Sequence, residues 1–177
     1  MCGGALVSPK VVLSAYHCQY HNGKLFKNGT AILGAHKNPW YDQNHIKIPF
    51  NDVRHPKHPH KNSWDPFYDH QHDFLLIVLD KPAKMSDTVK TICLPPPNSN
   101  YGGSFAVAAG WGRFAKPDVN TNQSPVLRKV TLEVSPKVYD HYHVLGTLLK
   151  NNSDGEWMDP CSGDSGKIIS YKCPSLI

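Results

Sequence analysis

Prolines and glycines interrupt this chain so often that long helices have little room to form. The 177 residues include 15 prolines and 13 glycines, and both residue types favour turns over the interior of a helix. The segments between them are short apolar runs rich in valine, leucine and isoleucine, which favour strands. We therefore expect short strands joined by many turns.

The composition indicates an ordinary globular protein and argues against two classes of partner. Apolar residues make up 40% of the chain and charged residues 19%, a balance that can build a core in one domain or two small ones. The net charge of +5 is spread along the chain, whereas a nucleic-acid surface needs a dense basic patch. Since the sequence also lacks an 18-residue apolar run, we expect neither a nucleic-acid partner nor a membrane span.

Cysteines and glycosylation sequons both indicate an extracellular protein. The chain has five cysteines, and Asn-X-Ser/Thr sequons begin at Asn28, Asn122 and Asn151. Together they favour an oxidising, secreted setting. No charged and apolar leader precedes this body, so we expect that an N-terminal part is missing from it.

The first twenty residues predict a hairpin that ends at a histidine. Residues 5–15 form a strand, a turn at Pro9 and a second strand. Cys2 and Cys18 stand at the two ends of this unit, where a disulfide can clamp it. A bridge closing a loop of this size stabilises a fold by about 3 kcal/mol. It would also hold the backbone beside His17.

An aspartate stands directly before a buried-strand pattern at residues 74–79. That apolar run follows Asp73, so the strand would hold this carboxylate in place, whereas Asp65 and Asp69 have no such support. Five histidines between positions 55 and 72 suggest a metal cluster. Their spacing fits neither a helical pair nor a Cys-His site, so we expect a solvated loop and no metal.

The second half begins after the best linker in the chain, a proline- and glycine-rich stretch at 95–103. We place a domain boundary there, which gives domains 1–97 and 98–177. Strands are predicted at 105–112 and 126–134. Ser135-Pro136 resembles a helix start, and apolar residues follow at helical spacing, so we predict one short helix near 136–149.

The stretch from Asp159 to Gly166 carries a serine, Ser165, between two glycines. Glycines allow a sharp turn that exposes a hydroxyl and aims backbone N–H groups at one point, as a nucleophile and its oxyanion hole require. The same residue types are also typical of a plain polar turn. This stretch by itself leaves both interpretations open.

Six motifs in order resemble the trypsin/chymotrypsin-like serine proteases. They extend from residue 2 to about residue 166 and read CGGALV (2–7), LSAYHC (13–18), DFLL (73–76), ICLP (92–95), AGWG (109–112) and CSGDSG (161–166). The resemblance implies an all-β fold of two antiparallel β-barrels with the site in the cleft between them. The barrel at 1–97 would carry His17 and Asp73, and the partial barrel at 98–177 would carry Ser165.

The resemblance also implies a role for each site residue. Ser165 would be the nucleophile, His17 the general base and Asp73 the group that orients the imidazole. The backbone N–H groups of Gly163 and Ser165 would form the oxyanion hole. The protein would be a secreted serine endopeptidase that acts on protein or peptide substrates, binds protease inhibitors and needs no cofactor.

Two further acids acquire roles through the same resemblance. Asp159, six residues before Ser165, would lie at the base of the specificity pocket and select substrates with Arg or Lys. Asp164 would pair with the amino group that activation cleavage frees in this family. The cysteines Cys2 and Cys18 would form the conserved bridge.

The chain also departs from the family pattern. The activation N-terminus, the first strand of the first barrel, and the strands and helix that follow the nucleophile have no counterpart in these residues, and Tyr16 replaces a small residue. The partners of Cys93, Cys161 and Cys173 stay open. We therefore expect weak or no activity from this chain, and the alternative function is a non-catalytic homologue acting as a binding or regulatory module.

Overall fold

Strands dominate the structure, a computed structural model that describes residues 2–21, 24–55, 73–112, 123–139, 144–148, 150–151, 157–158 and 169–170. Within these ranges the helical structure is one short 3₁₀ helix, Tyr16–Gln19. No helix there is long and apolar enough to cross a bilayer. The predicted all-β architecture is confirmed.

Thirteen strands are present in the described part of the chain, and most are short. They are β1 (Ala5–Ser8), β2 (Val11–Ser14), β3 (Tyr20–His21), β4 (Lys24–Leu25), β5 (Gly29–Leu33), β6 (Ile46–Arg54), β7 (Leu75–Leu79), β8 (Phe105–Gly110), β9 (Arg128–Tyr139), β10 (Val144–Leu148), β11 (Lys150–Asn151), β12 (Trp157–Met158) and β13 (Ile169–Ser170).

The first half of the chain forms a five-stranded antiparallel sheet in the order β1-β2-β7-β6-β5. The predicted hairpin is present: β1 and β2 pair with Ala5 opposite Leu13. β2 then pairs with β7, with Val11 opposite Val78 and Ser14 opposite Leu75. This sheet therefore joins the N-terminal hairpin to the strand that follows Asp73.

One face of this sheet covers the apolar core. Leu6, Val12, Ile48, Phe50 and Leu79 are all buried there in one cluster, which Ala83 and Val89 complete. Each comes from a strand or from the segment after β7, and β-branched and aromatic side chains suit such a surface. Burial of this cluster holds the five strands together.

The second half forms a four-stranded sheet in the order β10-β9-β8-β13. β8 pairs with β9 without interruption, from Phe105 opposite Glu133 to Gly110 opposite Arg128. Alternate positions are buried in both strands, including Ala106, Ala108 and Leu132. This period of two is the pattern of a strand with one face on a core.

The predicted helix near 136–149 is wrong. β9 continues to Tyr139 and pairs with β10, with Leu145 opposite Val138 and Thr147 opposite Val134. Residues 135–137 thus lie opposite one residue of β10, and this irregularity accommodates Pro136, which lacks the N–H of a regular ladder. Pairing with β10 prevailed over the helical spacing, because a proline after a serine is compatible with a bulged strand as well as with a helix start.

The segment between the two sheets is attached to each of them at one end. Before the proline run, the backbone N–H of Ile92 donates to the carbonyl of Leu6, and after it the N–H of Gly103 donates to Val134. The two sheets draw on residues 5–79 and 105–170. The division into units at 1–97 and 98–177 stays a proposal.

The two halves also meet along a polar seam. Asn38 is fully buried and its side-chain amide donates to the carbonyl of Ser124 at 2.9 Å. Its backbone N–H donates to Pro125 at 2.8 Å, and Lys37 forms a β-bridge with Val126. These bonds fix the segment after β5 against residues 124–126, which lead into β9.

Replacement of Leu79 by Ala tests the packing of the first sheet. Leu79 has no exposed surface, so Leu79→Ala removes buried methyl groups and leaves a cavity. We expect the free energy of unfolding to fall by about 2–5 kcal/mol in chemical denaturation. The matched control is Leu94→Ala, at a side chain that is 61% exposed, where we expect a change within about 0.5 kcal/mol. Equal effects at both positions would contradict this description of the core.

Candidate active site

His17 is held by a short helix at the end of β2. The 3₁₀ helix Tyr16–Gln19 begins two residues after that strand, and the N–H of Cys18 donates to the carbonyl of Ala15 at 3.1 Å. Cys18 forms a disulfide with Cys2, with the two Cα atoms 6.1 Å apart. The disulfide therefore secures the residue that follows His17.

The chain before β1 packs closely across β2. A Cβ added to Gly4 would lie 2.7 Å from Val12 Cγ1 and 3.1 Å from the carbonyl oxygen of Leu13, so this position requires glycine. The hydroxyl of Ser14 donates to the carbonyl of Gly3 at 2.8 Å. The Cys-Gly-Gly motif thus brings Cys2 within reach of Cys18.

Asp73 reaches His17 because β2 and β7 are antiparallel neighbours. Ser14, the last residue of β2, lies opposite Leu75, the first residue of β7. The residues just after β2 and just before β7 therefore meet at the same end of the sheet. Leu75 is almost fully buried, and this anchor holds the start of the strand in place.

Two hydrogen bonds join the aspartate to the histidine. His17 Nδ1 lies 2.7 Å from Asp73 Oδ2, and the backbone N–H of His17 donates to Oδ1 at 2.8 Å. An ionised carboxylate only accepts hydrogen bonds, so Nδ1 is the donor of this contact, and in the neutral ring the lone pair is then on Nε2. The side chains are 30% and 20% exposed, so both are partly shielded from water.

This arrangement can support proton transfer at Nε2. The carboxylate fixes the ring orientation and the tautomer, and its negative charge stabilises the imidazolium that forms when Nε2 takes a proton. A histidine in this arrangement has the chemistry of a general base.

A cavity of about 1080 Å³ opens beside His17. Its lining extends from the core face of the first sheet to Trp111 and Gln123 of the second half. The indole N–H of Trp111 donates to the carbonyl of His36 at 3.0 Å, which ties the two halves together near the cavity. His17 therefore faces space that both halves of the chain border.

Within the described ranges, Cys2, His17 and Cys18 form a group whose potential ligand atoms lie within 4.8 Å of one another. The two sulfur atoms are bonded to each other, so neither is a thiolate. Because thiolates are the sulfur ligands of metal sites, the group is explained by the disulfide beside His17.

The structure brings together His17 and Asp73, two of the three residues predicted for the triad. Ser165 lies outside the described residues. The same holds for the other predicted site residues of that stretch, Gly163, Asp159 and Asp164, and for Cys161 and Cys173. Cys93 is disulfide-bonded.

Of the histidines between 55 and 72, only His55 lies within the described residues. Its ring contacts that of Tyr16, a contact that the sequence reasoning missed, although Tyr16 had already appeared as a departure from the family pattern. Among the sequon asparagines, Asn28 is exposed, Asn151 lies in β11 and Asn122 is outside the described residues.

Comparison with known proteins identifies the family. The Trypsin family model matches residues 1–167. The chain belongs to the trypsin family. Kallikrein 1-related peptidase b21 of Mus musculus is 32% identical over 179 residues, which cover 94% of this chain and 64% of that relative. Tonin of Rattus norvegicus is 26% identical over 174 residues, with the same two coverages.

Solved structures of the trypsin type share the fold. A mutant of human heparin binding protein (CAP37) has a TM-score of 0.69 and 25% sequence identity, and the match covers 94% of this chain and 67% of that protein. An atomic resolution structure of HBP gives a TM-score of 0.70 at 24% identity, over 96% and 68% of the two chains. The all-β fold is thus that of the two-barrel trypsin family. The chain spans 64% of the length of the curated relatives described above.

The tautomer of His17 in this trypsin-family chain can be tested by NMR. A strongly hydrogen-bonded Nδ1 proton gives a downfield resonance, which Asp73→Asn should abolish because an amide no longer offers two carboxylate oxygens. The matched control is Asp52→Asn, at a carboxylate that pairs with Arg54 at 2.8 Å on the surface, and this variant should keep the resonance. If the resonance survives in Asp73→Asn, the assigned hydrogen bond is wrong.

Proposed function

We propose that this protein is a serine endopeptidase in which His17, Asp73 and Ser165 form a catalytic triad. The observation that carries the proposal is the pair of hydrogen bonds from His17 to Asp73, at 2.7 and 2.8 Å. They leave Nε2 of His17 as the basic atom of the site. Membership of the trypsin family supports Ser165 as its partner, because the CSGDSG motif is the family's nucleophile motif.

In the proposed reaction His17 acts first as a general base and then as a general acid. Nε2 takes the proton of the Ser165 hydroxyl while the oxygen attacks the scissile carbonyl carbon, and the imidazolium returns it to the leaving amine as the C–N bond breaks. Water then attacks the resulting ester by the same route in reverse and releases the acid. Asp73 stays ionised throughout and stabilises the imidazolium.

The remaining roles rest on the motif around Ser165. Backbone N–H groups of Gly163 and Ser165 would stabilise the oxyanion that forms on the carbonyl oxygen. Asp159 would pair with the Arg or Lys side chain before the cleaved bond. A neutral substrate side chain would be disfavoured, because it would leave the carboxylate buried without a partner. Asp164 would pair with a free amino terminus and thereby shape the oxyanion hole.

Activity, substrates and partners of the whole protein belong to the same proposal, because the chain spans 64% of its curated relatives. We propose secretion, glycosylation at the sequons, protein or peptide substrates and inhibition by protein protease inhibitors. The kallikrein and tonin relatives support this class of function. The chemistry requires no cofactor.

A non-catalytic homologue that acts as a binding module is the alternative. A heparin binding protein shares this fold, and the chain has a net charge of +5. The two functions differ in whether Ser165 reacts. Binding alone requires neither the His17–Asp73 pair nor a nucleophile.

Covalent labelling with a fluorophosphonate probe tests the proposal. We expect modification confined to Ser165, lost in Ser165→Ala and slowed by at least about 100-fold in His17→Gln, because a general base contributes rates of that order. Mass spectrometry of the digested protein locates the label and measures its rate. Absence of label on Ser165 would contradict the proposal and favour the binding module.

The proposed specificity pocket can be tested by competition. Benzamidine carries a planar cation like that of arginine, so it should slow the labelling of Ser165 by pairing with Asp159. In Asp159→Asn this protection should fall by at least about tenfold, since a buried charge-assisted pair is lost. Asp154→Asn, five residues earlier in the sequence, is the matched control and should retain it. Protection that is equal in all three proteins would exclude Asp159 as the specificity residue.

A further inference from the structure

A large aromatic side chain is buried directly beside the proposed base. Tyr16 precedes His17 in the 3₁₀ helix and is only 5% exposed. A tyrosine ring fills much more volume than the small residue expected there, so the packing around the helix must be arranged for it. The contacts of this ring therefore bear on how the helix is held.

The ring of Tyr16 packs against the imidazole of His55. The ring centroids are 4.6 Å apart and the planes are inclined by 48°, a separation and tilt typical of favourable aromatic pairs. His55 directly follows β6. The contact therefore links the helix that carries His17 to the end of a strand that lies far from it in sequence.

That strand is the neighbour of the one that presents Asp73. β6 pairs with β7, and Arg54, the last residue of β6, lies opposite Leu76. Asp73 precedes β7 by two residues. His55 and Asp73 thus leave the sheet at the same end, and Tyr16 reaches His55 while His17 reaches Asp73.

A four-residue 3₁₀ helix has little stability of its own, because its hydrogen-bond geometry is poor and it contains one turn. Its orientation must come from outside contacts. The Cys2–Cys18 disulfide restrains the side that follows His17, and the Tyr16–His55 contact restrains the side that precedes it. The two bonds from His17 to Asp73 form between these restraints.

We propose that Tyr16 is a positioning residue for the site. Its ring, packed on His55, fixes the helix so that both the Nδ1 atom and the backbone N–H of His17 meet the carboxylate of Asp73. The role assigned to Tyr16 is exerted through the orientation of His17. The inference deepens the proposed function and rests on it for its catalytic meaning, although the geometric claim concerns the His17–Asp73 pair alone.

The experiment measures exchange with water of the hydrogen-bonded Nδ1 proton of His17, assigned by its loss in Asp73→Asn. The variants are Tyr16→Ala, Tyr16→Phe, His55→Ala and the double variant Tyr16→Ala/His55→Ala, in the full chain. All are made in a Ser165→Ala background, so that the result does not depend on catalysis. Val89→Ala, a core variant remote from this contact in sequence, controls for general loss of stability.

We expect the exchange rate to rise about tenfold in Tyr16→Ala, the size typical of coupling between contacting residues. Tyr16→Phe keeps the ring and should match the parent chain. His55→Ala should also raise the exchange rate. The double variant should exchange no faster than Tyr16→Ala, because both substitutions remove the same ring contact. Val89→Ala should leave the rate unchanged.

Three outcomes would overturn the inference. An unchanged rate in Tyr16→Ala shows that the ring does not position His17. A rise in Tyr16→Phe equal to that in Tyr16→Ala assigns the effect to the hydroxyl, and additive effects in the double variant show that His55 is not the partner. If Tyr16→Ala fails to fold, the single variant His55→Ala and the Tyr16→Phe comparison still decide between these results.

The labelling experiment tests the proposed function separately. If Ser165 is not labelled while the exchange rates change as expected, the proposed function is contradicted and the positioning role of Tyr16 stands.

Discussion

The antiparallel pairing of β2 with β7 is the constraint on which the site depends. It places the end of one strand beside the start of another, so that a histidine and an aspartate 56 residues apart in sequence become hydrogen-bonded neighbours. The core residues beneath this pair of strands, among them Val12 and Leu79, are buried in one cluster. The same strand pairing that buries this cluster therefore also aligns His17 with Asp73.

The two halves of the chain are joined by contacts that are specific rather than only apolar. Asn38 and Ser124 are fully buried polar residues, and such residues are tolerated because their hydrogen bonds are made within the protein. A slip of either segment would break the bonds of the Asn38 amide and backbone together. This seam defines how the segment after β5 is placed against the segment that leads into β9.

Much of the first sheet could be predicted from local patterns. The hairpin around Pro9 and the aspartate before β7 depend on short runs of valine, leucine and isoleucine, whose preference for strands is expressed locally. The segment from Pro136 to Leu149 was misread because a proline after serine is compatible with both a helix start and a bulged strand. Only the partner strand decides between them, and sequence spacing carries no information about that partner. The Tyr16–His55 contact was missed for the same reason, since it joins two elements that are distant in sequence.

Our central proposal is that His17, oriented by Asp73, is the general base for Ser165. The most direct measurement is the distance between His17 Nε2 and Ser165 Oγ in an experimental structure of the chain after reaction with a fluorophosphonate. Our account predicts that the phosphonylated Oγ lies within about 3.5 Å of Nε2, close to the hydrogen-bond reach that base and nucleophile require. A separation of about 6 Å or more, with the His17–Asp73 bonds intact, would contradict it.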